Sequence, residues 1–131
     1  MSRGLRNCNP GNIRNSSTVW VGEVVPSQDN AFKQFKSMAY GYRALIKLLQ
    51  NYRKLYNKQT ITEFIQRWAP PKENDTSAYI NRVCREMQVS ATYIPDIEDR
   101  KIMCAFAAAI SQVENGVPAV MSDIEKGWEL L

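Results

Sequence analysis

Residues 102–116 read IMCAFAAAISQVENG. The first nine, 102–110, are apolar on every face a helix could present. Such a helix has no side for water and predicts the buried centre of a helical bundle. Nine residues are too few to cross a bilayer. Asp96 to Asp99 opens the helix, polarity begins at Ser111, and Asn115-Gly116 supplies a C-terminal stop. Glu114 therefore sits in the last turn. There the negative end of the macrodipole and the neighbouring apolar packing both disfavour an ionised carboxyl, which is the condition a general acid needs. The competing reading is a carboxylate that simply points into water.

A helix buried all round needs other helices to bury it. Met38, Tyr42, Leu45, Leu49, Tyr52 and Tyr56 recur at helical spacing behind Ser37, which is placed to cap, and predict a helix over 38–56. Thr60 to Glu63 forms a capping box, and Ile61, Phe64, Ile65 and Trp68 continue one apolar face until Pro70-Pro71. Asp75 or Thr76 caps a third helix carrying Tyr79, Ile80, Val83, Cys84 and Met87. Ser122 to Glu125 reads as a further capping box before Trp128.

Ahead of these helices the pattern changes. Residues 19–25 and 31–35 are short β-branched or aromatic runs around the turn material PSQDN, and predict a small hairpin. Residues 3–15, RGLRNCNPGNIRN, are dense in turn-forming and hydrogen-bonding residues, bracketed by Leu5 and Ile13 as anchors. The expected architecture is one mainly α domain spanning 1–131, with a small irregular, extended N-terminal lobe.

Composition restricts the chemistry. The chain has no histidine, and its three cysteines, Cys8, Cys84 and Cys104, lack metal-ligand spacing. No metal and no cofactor is expected, and histidine-dependent nucleophile machinery is excluded. Catalysis would rest on carboxylates, with Glu114, Glu73 and Glu23 the candidates. Glu73 lies in the proline-led loop APPKENDT, and Glu23 follows Trp20-Val21-Gly22 in the lobe. Trp20, Tyr40, Trp68 and Tyr79 are candidates for stacking on sugar rings, with Trp68 read as core and Trp20 as a site residue. The net charge of +4 suits a polyanionic partner. Arginines and aromatics are not gathered in one recognition helix, so no specific nucleic-acid partner is expected.

The blocks GLRNCNPGNIR, FKQF, YGYRALIKLL, TITEFIQRWAPPKENDTSAYI and VENG, in this order, resemble a phage- and prophage-type lysozyme-like family. Some of its members are described as phage structural proteins, and similar domains occur in secreted antibacterial effectors. The resemblance implies a lysozyme-like helical fold and a muramidase, hydrolase or lytic transglycosylase, that cleaves peptidoglycan glycan strands. It implies Glu114 as the acid, with Glu73 second and Glu23 third. It places the turn Asn9 to Arg14 at the cleft, and with the residue types this gives a substrate-binding set of Asn9, Asn12, Arg14, Trp20, Tyr40, Asn74 and Tyr79. Lysozyme-like enzymes place their acid at a helix end before the extended lobe; here the lobe comes first, so the order would be circularly permuted. Family members usually carry asparagine where this chain has Cys8, often an acid at Ala39 and a histidine at Val113. Those departures keep open a non-catalytic wall-binding or virion structural module. The remaining expectations are a monomer without membrane insertion. It would be made in the bacterial cytoplasm without a visible signal peptide, and would reach the wall by phage- or secretion-type delivery.

Overall fold

The computed structural model describes all residues, 1–131. In chain order it contains α1 (Arg3–Arg6), β1 (Glu23–Val24), β2 (Gln34–Phe35), α2 (Met38–Tyr56), α3 (Ile61–Trp68), α4 (Thr76–Met87), α5 (Arg100–Asn115) and α6 (Met121–Glu129). The protein is mainly helical with a two-stranded sheet. No helix is long and apolar enough to cross a membrane.

The apolar run that predicts a central helix is α5. Met103, Phe106, Ala107 and Ile110 are fully buried, and the helix packs against α1, α2, α4 and α6. Phe106 meets Phe64 of α3 edge to face, with ring centroids 5.4 Å apart. Ser111, where polarity was expected to begin, is itself buried and exchanges a 2.8 Å hydrogen bond with the hydroxyl of Tyr42. That bond lets a polar residue continue the inward face. Gly116 ends the helix in the left-handed conformation, φ 73°.

Side-chain caps set most of the other helix starts. Ser37 accepts from the amide of Tyr40, and Thr60 and Glu63 complete a reciprocal box. Asp75 accepts from Ala78, and Asp99 from Ile102. The box expected at 122–125 does not form. Helix α6 begins at Met121, with Val120 as its N-cap and no side-chain capping bond. Packing rather than capping fixes this start, because α6 buries Ile124 and Gly127 in its extensive contact with α2.

The lobe differs more from expectation. Its strands are two residues long, pairing Glu23 with Phe35 and Val24 with Gln34, and one further bridge joins Arg14 to Phe32. Val19, Val21 and Val25 are 67%, 55% and 62% exposed, so the β-branched run has no core to bury and does not extend as a strand.

Polar groups organise the lobe instead. Asn9 is fully buried; its amide donates to the carbonyls of Ile13 (3.0 Å) and Lys33 (2.9 Å), and its oxygen accepts from the Ile13 amide (2.9 Å). Leu5 and Ile13, the expected anchors, are only half-buried. Asp29 receives Arg3 through two 2.7 Å bonds, and also the side-chain amide of Asn7 and the backbone amides of Ala31 and Phe32. The Arg3 contact, followed by the Ala31 amide, holds the Asp29 carboxyl well below the usual carboxylate range. Lys33 and Glu23, with side chains 1% and 6% exposed, form a 3.0 Å ion pair. Lys33 also donates to the carbonyls of Ser16 and Thr18, and Glu23 accepts from the Trp20 amide.

Breaking a sealed ion pair strands a charge, so Glu23→Gln is expected to cost about 3 kcal/mol in urea unfolding. Adding Lys33→Met should recover part of that loss, and a fully additive double mutant would contradict the pairing. A carboxyl held low in the folded state contributes stability that is complete above its unfolded value and is lost as pH falls through its folded value. The wild type is therefore expected to lose stability progressively below pH ~4. Asp29→Asn should be less stable at neutral pH and show a shallower acid limb; an unchanged limb would contradict this.

Candidate functional site

The lobe and the helices do not close on each other completely. Between them lies a cleft of about 420 Å³. Gly11, Asn12, Ile13, Arg14 and Phe32 line it from the lobe, and Leu48 and Tyr52 from α2. Trp68, Pro70, Glu73 and Asn74 come from α3 and the loop after it, and Glu114 from α5.

Ile102, Ala105 and Ala108 leave α5 a half-exposed stripe, so the helix is not buried all round as expected, and its last turn, past the buried Ser111, brings Glu114 to the cleft. Both carboxylate oxygens are held. Asn12 Nδ2 donates to Oε1 at 2.9 Å, and the Tyr79 hydroxyl of α4 donates to Oε2 at 2.7 Å. Burial above all, and then the negative charge of Glu114, push the Tyr79 hydroxyl far above the ordinary tyrosine range. Tyr79 therefore stays a hydrogen-bond donor and cannot serve as a base. The next residue, Asn115, ties the opening loop to the same helix end. It donates to the carbonyls of Pro10 and Ser111 at 2.9 Å and accepts from Ser2 Oγ at 2.7 Å.

The loop itself is shaped for this contact. Asn12 adopts the left-handed conformation at φ 50°, which asparagine tolerates better than most residues. Gly11 is needed for close approach, because a Cβ there would lie 2.8 Å from the Trp68 ring. Across the mouth, Arg14 reaches Glu73 at 3.4 Å and stacks over Phe32, with its guanidinium carbon 5.1 Å from the ring centroid. Both ends of that ion pair are more than half exposed, so solvent screens it and its contribution is small.

Of the residues expected at a site, Asn12, Arg14, Glu73, Asn74 and Glu114 share the cleft, and Tyr79 touches Glu114. Four lie elsewhere. Glu23 is sealed against Lys33 and cannot reach a ligand in the cleft. Asn9 spends its whole side chain on the backbone of the lobe. Tyr40 packs its ring against Gly22, where a Cβ would collide with it. Trp20 belongs to the turn closed by its own carbonyl and the Glu23 amide, outside the lining. Conversely, Trp68, read as core, is a cleft wall, as are Tyr52, Leu48 and Phe32. Tyr52 and Trp68 also pack against the core, so helical periodicity places them on the inward stripe without distinguishing the two roles.

Fold and site together define a mainly helical domain with a small polar lobe and a carboxylate-bearing cleft at their junction. No family model matches the chain. It is 34% identical over 131 residues to Protein P5 of Pseudoalteromonas phage PM2, covering 98% of this chain and 81% of that protein. The chain belongs to the family of that phage protein.

The Tyr79–Glu114 bond is testable apart from any activity. A double-mutant cycle of Tyr79→Phe and Glu114→Gln in chemical unfolding is expected to give a coupling of roughly 1 kcal/mol. Strict additivity would show that the bond is absent in solution.

Proposed function

We propose that this protein is a lysozyme-like muramidase that cleaves the glycan strands of bacterial peptidoglycan, with Glu114 as general acid. The observation that carries this reading is the place of Glu114. It is a carboxyl at the end of the most apolar helix, open to a cleft beside a small two-stranded lobe, with both oxygens oriented by neutral donors. Orientation matters because proton transfer to a glycosidic oxygen needs the acid within hydrogen-bond reach of it. The cleft wall of Trp68, Tyr52 and Phe32 offers rings on which sugars stack, while Asn12, Asn74 and Arg14 offer donors for hydroxyl groups. Relative to the lysozyme-like pattern the lobe precedes the acid-bearing helix, so the arrangement reads as permuted.

The proposed reaction starts with the Glu114 proton moving to the leaving oxygen as an oxocarbenium-like centre develops. Glu73, on the opposite rim, is the one other carboxylate of the lining and the candidate to activate water. In a transglycosylase the sugar's own hydroxyl would close the ring, and Glu114 would suffice alone. The family relation to a phage protein fits delivery to the wall with a virion.

A specific observation also favours a second reading. Glu114, Asn12 and Tyr79 join α5, the opening loop and α4, which is what a purely structural clamp would do. In that case the chain would be a virion structural or wall-binding module without turnover. Glu114→Gln separates the two readings. It preserves shape and removes the transferable proton, so lysis of purified peptidoglycan should fall roughly 10²–10⁴-fold with the fold intact. Near-wild-type lysis by this variant, with Glu73→Gln inactive, would move the acid to Glu73. A wild type without lytic activity would favour the structural module.

A further inference from the structure

Four arginines stack on aromatic rings in this protein: Arg3 and Arg14 on Phe32, Arg53 on Phe64, and Arg67 on both Tyr52 and Tyr56. Three of them also have acceptors for their N–H groups. Arg3 is held by Asp29, Arg14 by Glu73, and Arg53 by the carbonyls of Lys58, Gln59 and Pro95. Arg67 makes no ion pair with any carboxylate. Its guanidinium carbon is nevertheless close over the Tyr56 ring, 3.6 Å from the centroid, and 5.1 Å from that of Tyr52. The guanidinium interacts with the Tyr52 hydroxyl, and the rest of its planar fork matches a carboxylate in two-point contact. Its position matters too. Tyr52, one of the rings beneath it, lines the cleft while Arg67 itself lies outside the lining, so the cation stands beside the cleft at its helical end.

We propose that Arg67 is an oxyanion subsite at this end of the cleft, and that its ligand is a carboxylate of the peptide stems borne by the glycan strand. This rests on the glycan-cleaving reading, because it takes the cleft to hold a strand whose substituents project from its end. Stem peptides carry free carboxylates, and the protein's net charge of +4 favours such a strand. The tyrosine pair supplies what a lone surface arginine lacks, a fixed orientation whose ordering entropy is already spent before the ligand arrives.

The test measures binding to the full chain by calorimetry, with wild type, Arg67→Gln and Arg67→Lys. Four ligands are compared: a peptide-free glycan tetrasaccharide, the same glycan with free-acid stem peptides, the same with amidated stems, and a glycerol phosphate oligomer. The wild type is expected to bind the free-acid form roughly tenfold more tightly than the amidated or peptide-free forms. Arg67→Gln should erase that preference while leaving peptide-free binding unchanged, and Arg67→Lys should retain part of it. Peptide-free binding with no preference for free-acid stems in the wild type overturns the subsite and leaves the glycan reading standing. A preference that survives Arg67→Gln overturns the assignment to Arg67, and equal weakening of every ligand by that variant returns the arginine to a structural role. Tighter Arg67-dependent binding of the phosphate oligomer than of the free-acid glycan overturns the carboxylate. Failure of every glycan to bind overturns both readings.

Discussion

The last turn of α5 joins the two parts of this structure. Asn115 binds the carbonyl of Pro10 and the hydroxyl of Ser2, while Glu114 takes the amide of Asn12. These contacts join residues more than a hundred positions apart and fix a polar loop against the end of the most buried helix. They supplement the close packing of Gly11 on Trp68 and of Pro10 on Gly41, since the loop's apolar anchors Leu5 and Ile13 are only half-buried. The cleft lies beside this junction; the lobe is also docked on α2, where Tyr40 packs on Gly22 and Gly41 lies against Cys8 and Pro10.

Two kinds of cohesion therefore coexist. The helical part is held by apolar burial centred on α5, which is non-directional and tolerant of volume-conserving exchange. The lobe is held by directed polar bonds around Asn9, Asp29 and the Lys33–Glu23 pair. Such a network keeps its geometry only while every member is satisfied. It gives a small lobe with little core of its own a fixed geometry, and with it the directions of Asn12 and Arg14. The same logic separates the carboxylates. Glu23 is spent inside the lobe, Glu73 is screened at the rim, and Glu114 combines partial burial with access to the cleft.

The helical part was legible in the sequence because its signals are local. The Ser37 cap, the Thr60 box, the Asp96–Asp99 opening and the Asn115-Gly116 stop each lie within about one turn of the boundary they set, and the 38–56 stripe is read from its own periodicity. The exception, α6, starts where its contact with α2 places it, and no neighbouring residue encodes that. The lobe was less legible. Residues 19–25 have strand-forming side chains, but strand length depends on a surface to cover, which the lobe does not provide. The short helix α1 was missed because one turn of RGLR carries no periodicity. At the site, the NPGN loop and the VENG helix end were both visible, and their contact follows from tertiary structure alone. Trp68 shows the limit in the other direction: a residue on the apolar stripe near a helix end serves the core and the cleft together.

Everything in the proposed function rests on the cleft presenting Glu114 as the acid for cleaving a glycan strand. That role is tested most directly by mass spectrometry of the fragments released from purified peptidoglycan. The wild-type digest is expected to contain new glycan chain ends, reducing for a hydrolase or 1,6-anhydro for a transglycosylase, and the Glu114→Gln digest none. Fragments with uncut glycan strands, or new glycan ends produced equally by the Glu114→Gln variant, would contradict it.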